Sequence, residues 1–114
     1  MQDTFNGITI GATLSNTKQP DWSQGIHNHY RVRISKGRNS VSFDYFDSII
    51  NTRNNTQPNL KDILFCFASD VSNGWEEFDN SMMTPKQYRE CKRMANAAKK
   101  MEISEETLAE WWQL

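Results

Sequence analysis

Between Tyr30 and Phe46 the chain alternates apolar and polar residues on both sides of one glycine. Tyr30, Val32 and Ile34 alternate with Arg31, Arg33 and Ser35, and Lys36-Gly37-Arg38-Asn39 follows. Val41, Phe43 and Tyr45 then alternate with Ser42, Asp44 and Phe46. Successive side chains on a strand point to opposite faces, so each arm carries one apolar face. Gly37 supplies the positive φ that a tight hairpin needs. The hairpin's other face then sets the arginines against Ser42 and Asp44 across the strands. A two-stranded hairpin is marginal in water, so this one needs further strands or a covering layer.

The flanking segments supply both. Phe5 to Leu14 sets Ile8, Ile10, Ala12 and Leu14 against Thr9, Gly11 and Thr13, which predicts another half-buried strand. Ser15 to Asn28, with Pro20 and Gly25, has the composition of a loop. Trp22 within it either folds back on the core or waits for a partner. Asp47 to Gln57 is polar apart from Ile49 and Ile50 and predicts a long connection. Pro58 suits the first turn of a helix. Leu60, Ile63, Leu64, Phe67 and Val71 then recur at helical spacing, with Phe65 off the stripe and Gly74 as the expected stop.

Trp75 to Asp79 begins a short connection that runs to Met82 and Met83. Thr84, Pro85 and Gln87 predict a capped helix start. Tyr88, Cys91, Ala95, Ala98 and Met101 share one face of that helix; Lys86, Arg89, Lys92, Arg93, Lys99 and Lys100 share the other. Ser104, Glu105 and Glu106 open a last short helix that Leu108, Trp111 and Trp112 would dock. Strands followed by helices predict an α+β fold. The expected architecture is a single domain over residues 1–114, with a three-stranded antiparallel sheet followed by about three helices packed on one face.

Composition narrows the function classes. The 114 residues hold 13 Lys and Arg against 14 Asp and Glu, a net charge of −1. That balance argues against a general nucleic-acid clamp, with its basic excess, and equally against an acidic mimic of DNA. Apolar residues are only 37%, but four Trp, six Phe and three Tyr supply large buried areas and predict a small aromatic-weighted core. No stretch approaches the ~20 apolar residues of a membrane span. Met1 to Asn6 lacks the pattern of a signal peptide, so a cytoplasmic setting is expected.

Cys66 and Cys91 both fall on helices and are expected to be reduced and inert. His27 and His29 share a strand face, but with the cysteines they show no zinc-ligand spacing, so no metal is expected. No nucleophile elbow and no phosphate loop occurs, and Asp70, Glu76, Glu77 and Asp79 form a solvated acidic cluster. The expected protein is not an enzyme and needs no cofactor.

The segment Val32-Arg33-Ile34-Ser35-Lys36-Gly37-Arg38-Asn39-Ser40-Val41-Ser42-Phe43-Asp44-Tyr45 resembles the hairpin of a family of small phage and prophage proteins. Pro58-Asn59-Leu60-Lys61-Asp62-Ile63-Leu64-Phe65-Cys66-Phe67-Ala68-Ser69-Asp70 is similar to that family's P-x-x-x-D-x-L-x-C-L-A-S-D helix. Trp75-Glu76-Glu77-Phe78 and Tyr88-Arg89-Glu90-Cys91 are similar to its two later motifs, in the same order. The match spans roughly residues 29 to 95. The Asp/Ser/Arg-rich insert usual before the last motif is cut here to Asn80-Ser81-Met82-Met83, and Trp111-Trp112 lie outside the resemblance. The resemblance implies a phage accessory gene without an assigned activity. Accessory genes of this size often encode anti-CRISPR proteins, an association by gene context rather than by physics.

Three surfaces follow as candidates. Trp75, Glu76, Glu77, Phe78 and Asp79 join aromatic anchors to carboxylates and suit a basic, nucleic-acid-handling protein such as a host CRISPR-Cas or other defence component. The competing view is that Trp75 and Phe78 merely close the core between two helices. Arg31, Arg33, Lys36 and Arg38 on the hairpin, and Arg89, Lys92 and Arg93 on the basic helix, are the alternative sites, for nucleic acid. A solvated face that keeps a small domain soluble is the simplest account of any such charge run. The sequence leaves a homodimer open and implies no membrane partner.

Overall fold

The computed structural model describes residues 1–78 and 82–113. The fold is α+β, as the element order implies. Four antiparallel strands, β1 (Gln2–Phe5), β2 (Ile8–Lys18), β3 (His27–Lys36) and β4 (Asn39–Phe46), pair in the order β1-β2-β3-β4. Four helices follow among the described residues: α1 (Ile49–Asn54), α2 (Leu60–Trp75), α3 (Pro85–Lys100) and α4 (Glu105–Trp112). Contacts cluster within residues 1–58 and within residues 59–114.

In the first unit the β3–β4 hairpin has the expected register. Tyr30, Val32 and Ile34 face Tyr45, Phe43 and Val41, while Arg31 and Arg33 face Asp44 and Ser42. Gly37 has φ 60° in the two-residue link between Lys36 and Asn39. A positive φ at the first central residue alone is the requirement of a type II′ turn. Ile10, Val32 and Ile34 are fully buried.

The sheet has four strands where three were expected. Asn6 and Gly7 both take positive φ, 50° and 80°, and place Phe5 opposite Ile8. Two consecutive positive φ values make a type I′ turn, for which Asn-Gly is the strongest short signal. The run from Phe5 to Leu14 is therefore the end of β1, a turn and the first part of β2. The expected loop from Ser15 to Asn28 also shrinks. A bulge between Leu14 and Asn16 carries β2 on to Lys18, and β3 begins at His27. The polar run after β4 is not a plain connection, because Ser48 caps α1 by accepting from the Asn51 N–H and Asn55 ends it in the left-handed region.

In the second unit α2 buries Ile63, Leu64, Phe67 and Val71, as its spacing predicts. Asn59 is its N-cap, accepting from the Lys61 N–H at 2.9 Å, so Pro58 precedes the cap instead of opening the first turn. Gly74 is not the stop either. It is buried inside α2, and a Cβ there would overlap the carbonyl of Cys91 and come within 2.8 Å of the Ala95 Cβ. The glycine is needed for close helix approach, and the helix ends at the Glu76 cap.

The start of α3 is as expected. Gln87 N–H donates to Thr84 Oγ1 at 3.2 Å and Thr84 N–H donates to Gln87 Oε1 at 3.0 Å, with Pro85 at the first helical position. Cys91, Met94, Ala95 and Ala98 are its buried face. Glu102 at φ 53° closes α3, where Ile103 N–H donates to Ala98 O and Glu102 N–H to Lys99 O. That bond pair is a Schellman motif.

The two glycines separate steric from conformational cost. A Cβ on Gly37 would meet nothing, so Gly37→Val should lose only the left-handed backbone preference, about 1–2 kcal/mol. Gly74→Ala forces two backbones apart and should cost about 3 kcal/mol or more. Urea midpoints of the two variants check both, and a Gly74→Ala protein as stable as the parent would exclude the close crossing.

Candidate functional site

The acidic-aromatic segment emerges where α2 ends. Glu76 caps α2, its N–H donating to Asn73 O at 3.3 Å. Three contacts from α3 tie this end down. Tyr88 Oη donates to Glu76 O at 2.7 Å, the Tyr88 ring meets the Phe78 ring at 5.3 Å, and Lys92 Nζ donates to Gly74 O at 3.1 Å. Glu76 and Glu77 are exposed. Trp75 is 55% exposed and Phe78 38%, so neither ring is part of the closed core. Gly74, not Trp75, occupies the crossing of α2 and α3. Asp79 lies outside the described residues.

The basic candidates are more heavily engaged. Arg31 pairs with Asp44 at 2.9 Å, and Arg33 donates to Ser40 Oγ at 3.4 Å. Lys36 and Arg38 flank the Gly37 turn, Arg38 exposed. On α3, Arg93 makes two bonds to Glu90, at 3.3 and 2.9 Å, and Lys92 is held between Gly74 O and the Tyr88 ring. Arg89 is exposed.

The sheet unit holds an arrangement that the residue spacings did not announce. Ser23 Oγ and His27 Nε2 are 2.7 Å apart, and His27 Nδ1 lies 2.6 Å from Asp47 O. A carbonyl only accepts, so Nδ1–H is the donor of that bond. Gly25 N–H also donates to Ser23 Oγ at 3.1 Å. The chain ends on a backbone carbonyl rather than a carboxylate, and its effect is to tie the loop 19–26 to the start of β3 and the end of β4.

Trp22 folds over this point, its ring centroid 5.0 Å from His27 and 6.1 Å from Phe46, yet it stays 68% exposed. His29 stacks on Phe46 and is bonded through Nδ1 to Asn16 and through Nε2 to Asp44. Both imidazoles thus spend both nitrogens on protein partners. Among the described residues no group of three His, Cys, Asp or Glu is placed to hold a metal ion.

Electrostatics differ between the two units. Burial raises the Asp44 carboxyl, but hydrogen bonds and charge from His29 and Arg31 outweigh it and hold it below its ordinary value. At Asp70 on α2 no cation among the described residues opposes burial. Burial, then repulsion from Glu90, pushes it up to about 6, against a weak opposing bond from Cys91 Sγ. Burial also raises the Cys66 thiol, with Asp70 and Asp62 adding to it. Cys91 is pushed up to about 11 by burial, Asp70 and Glu90.

Comparison with family models, curated proteins and solved structures gave no match to this chain. Among the described residues no helix is long and apolar enough to cross a membrane.

Two measurements follow from these groups. The thiolate is the reactive form, so both cysteines should label slowly with a thiol reagent at pH 7.5 in the native state and rapidly in urea. Rapid native labelling would contradict their raised thiols. Asp70 binds its proton more tightly folded than unfolded, where 3.8 is ordinary. Its contribution is therefore most favourable below about pH 4 and is lost as pH rises through about 6. Asp70→Asn should be more stable than the parent by about 1–2 kcal/mol at pH 7.5 and should converge with it near pH 3.5. Urea titrations across that range check the sign.

Proposed function

We propose that this protein binds a basic, nucleic-acid-handling protein stoichiometrically and blocks it without turnover. The reading extends to a phage-encoded chain acting in the host cytoplasm, with a CRISPR-Cas or other defence complex as its target. One observation carries the binding mode: Trp75, Glu76, Glu77 and Phe78 are all exposed in a continuous run, on a helix end held by Tyr88 and Lys92. Ordered aromatic rings supply anchor energy at low entropic cost, and carboxylates beside them steer a cationic partner. The setting rests on the resemblance to phage proteins and on the genes such proteins accompany.

A nucleic-acid reading draws on one specific feature, the exposed row Lys86, Arg89, Lys99 and Lys100 along α3. It is the weaker of the two, because Arg31, Lys92 and Arg93 already serve partners within the protein.

Glu76→Lys combined with Glu77→Lys tests the segment. Both side chains are exposed, so the double variant should keep the parent's circular dichroism and urea midpoint. It should lose at least tenfold in its capacity to protect a sensitive phage from CRISPR immunity. A folded double variant that still protects at parental strength would overturn the site. A parent that protects against no defence system would overturn the inhibitor itself. Direct phosphate binding would instead show as DNA affinity falling by orders of magnitude between about 50 and about 200 mM salt.

A further inference from the structure

Phe65, Trp75 and Trp112 are all large exposed rings of the helical unit, 41%, 55% and 45% exposed. Trp112 is not loose: it stacks on Phe65 with centroids 5.3 Å apart and planes 24° from parallel. Trp75 and Trp112 line one cavity of about 200 Å³ between α2 and α4, together with Ala68, Ser72, Leu108 and Glu105. That volume suits one side chain and is well below the usual size of a small-molecule pocket.

One carboxylate, that of Glu105, lines the cavity. α4 carries Glu105, Glu106 and Glu110 and no basic residue, and Trp75 is followed by Glu76 and Glu77. Trp75 is also the last residue of α2, at the negative end of that helix. The positive end of α4 is offset by the Ser104 cap and the acids of its first turn.

Indole faces attract cations, a carboxylate supplies the countercharge, and an apolar lining accepts an aliphatic stem. A cation already lies over an aromatic ring in this unit, Lys92 Nζ being 5.8 Å from the Tyr88 ring centroid. A planar guanidinium lies flat on an indole while its fork of N–H donors meets a carboxylate, a closer match than a compact, strongly hydrated ammonium. We propose that the α2–α4 cavity receives a single arginine side chain of the partner protein, stacked against Trp112 beside Trp75 and paired with Glu105. This rests on the reading above in that it names what the basic partner inserts.

The peptide acetyl-Gly-Arg-Gly-amide is the probe, followed by the indole N–H signals of the four tryptophans in a ¹⁵N–¹H spectrum of the full chain. The Trp75 and Trp112 signals should shift saturably, with Trp22 and Trp111 unmoved. The neutral citrulline analogue should bind at least about tenfold more weakly. Glu105→Gln should weaken arginine binding about fivefold, and Trp112→Leu should abolish it. Shifts that citrulline matches, or that appear equally at Trp22, would overturn the site. Equal affinity for the lysine peptide would overturn the guanidinium assignment.

The phage assay separates this inference from the one it rests on. If Trp112→Leu still protects while Glu76→Lys/Glu77→Lys does not, the arginine cavity falls and the acidic segment stands. Saturable arginine binding by a chain that protects against nothing leaves the cavity standing and removes the inhibitor reading.

Discussion

Gly74 lets the backbone of α3 come so near α2 that a single methyl group would overlap the Cys91 carbonyl. Much of the helical unit follows from that approach. It brings Tyr88 and Lys92 within hydrogen-bonding distance of the α2 terminus, at 2.7 and 3.1 Å. It also allows the alanines Ala95 and Ala98 to serve as core residues, since only small side chains fit where helices are so close. Trp75 is left exposed for the same reason: its neighbour, not the indole, fills the crossing. The ordered presentation of the acidic-aromatic segment is thus a consequence of a missing side chain.

The sheet unit rests on β3, which pairs along its length with β2 on one side and β4 on the other. Its alternation settles the faces of both neighbours, because a one-residue slip would turn Val32 and Ile34 to solvent. The two turns solve the hairpin problem differently. Asn6-Gly7 takes two positive φ values and Gly37 takes one. Where β2 gains an extra residue, the bulge lets Asn16 meet His29 and extends the strand beyond its apolar part.

Polar groups inside each unit are arranged with unequal completeness. Asp47 is 1% exposed, and its Oδ1 accepts from Ser48 N–H and Asn51 Nδ2, while its Oδ2 is buried with no hydrogen-bond partner among the described residues. The same carboxylate contributes, after burial itself, to raising the neighbouring Tyr30 phenol, against a lowering bond from Asn28. Asp44 differs because it sits on the solvent face of the sheet with His29 and Arg31 beside it. Arg31 and the hydrogen bonds beside it make Asp44 a stabilising acid, while burial and Glu90 make Asp70 a costly one, at similar chemistry.

By itself the sequence determined what depends on near neighbours in the chain. Alternation set the faces of the hairpin, with the arginines on the same face as Ser42 and Asp44, and Thr84-Pro85-Lys86-Gln87 marked the start of α3. These are local because strand period, turn φ and capping bonds involve residues a few positions apart. Asn6-Gly7 was equally legible, but the apolar alternation running through it disguised a turn as continuous strand. The candidate segment was legible in composition and not in exposure: the same Trp75 and Phe78 fit a closed core or an open surface. Tertiary structure decided that point, together with the role of Gly74, the Ser23–His27–Asp47 chain and the meeting of Trp75 with Trp112 at one cavity. Each joins residues through packing between elements, and no periodicity records where two helix backbones will touch.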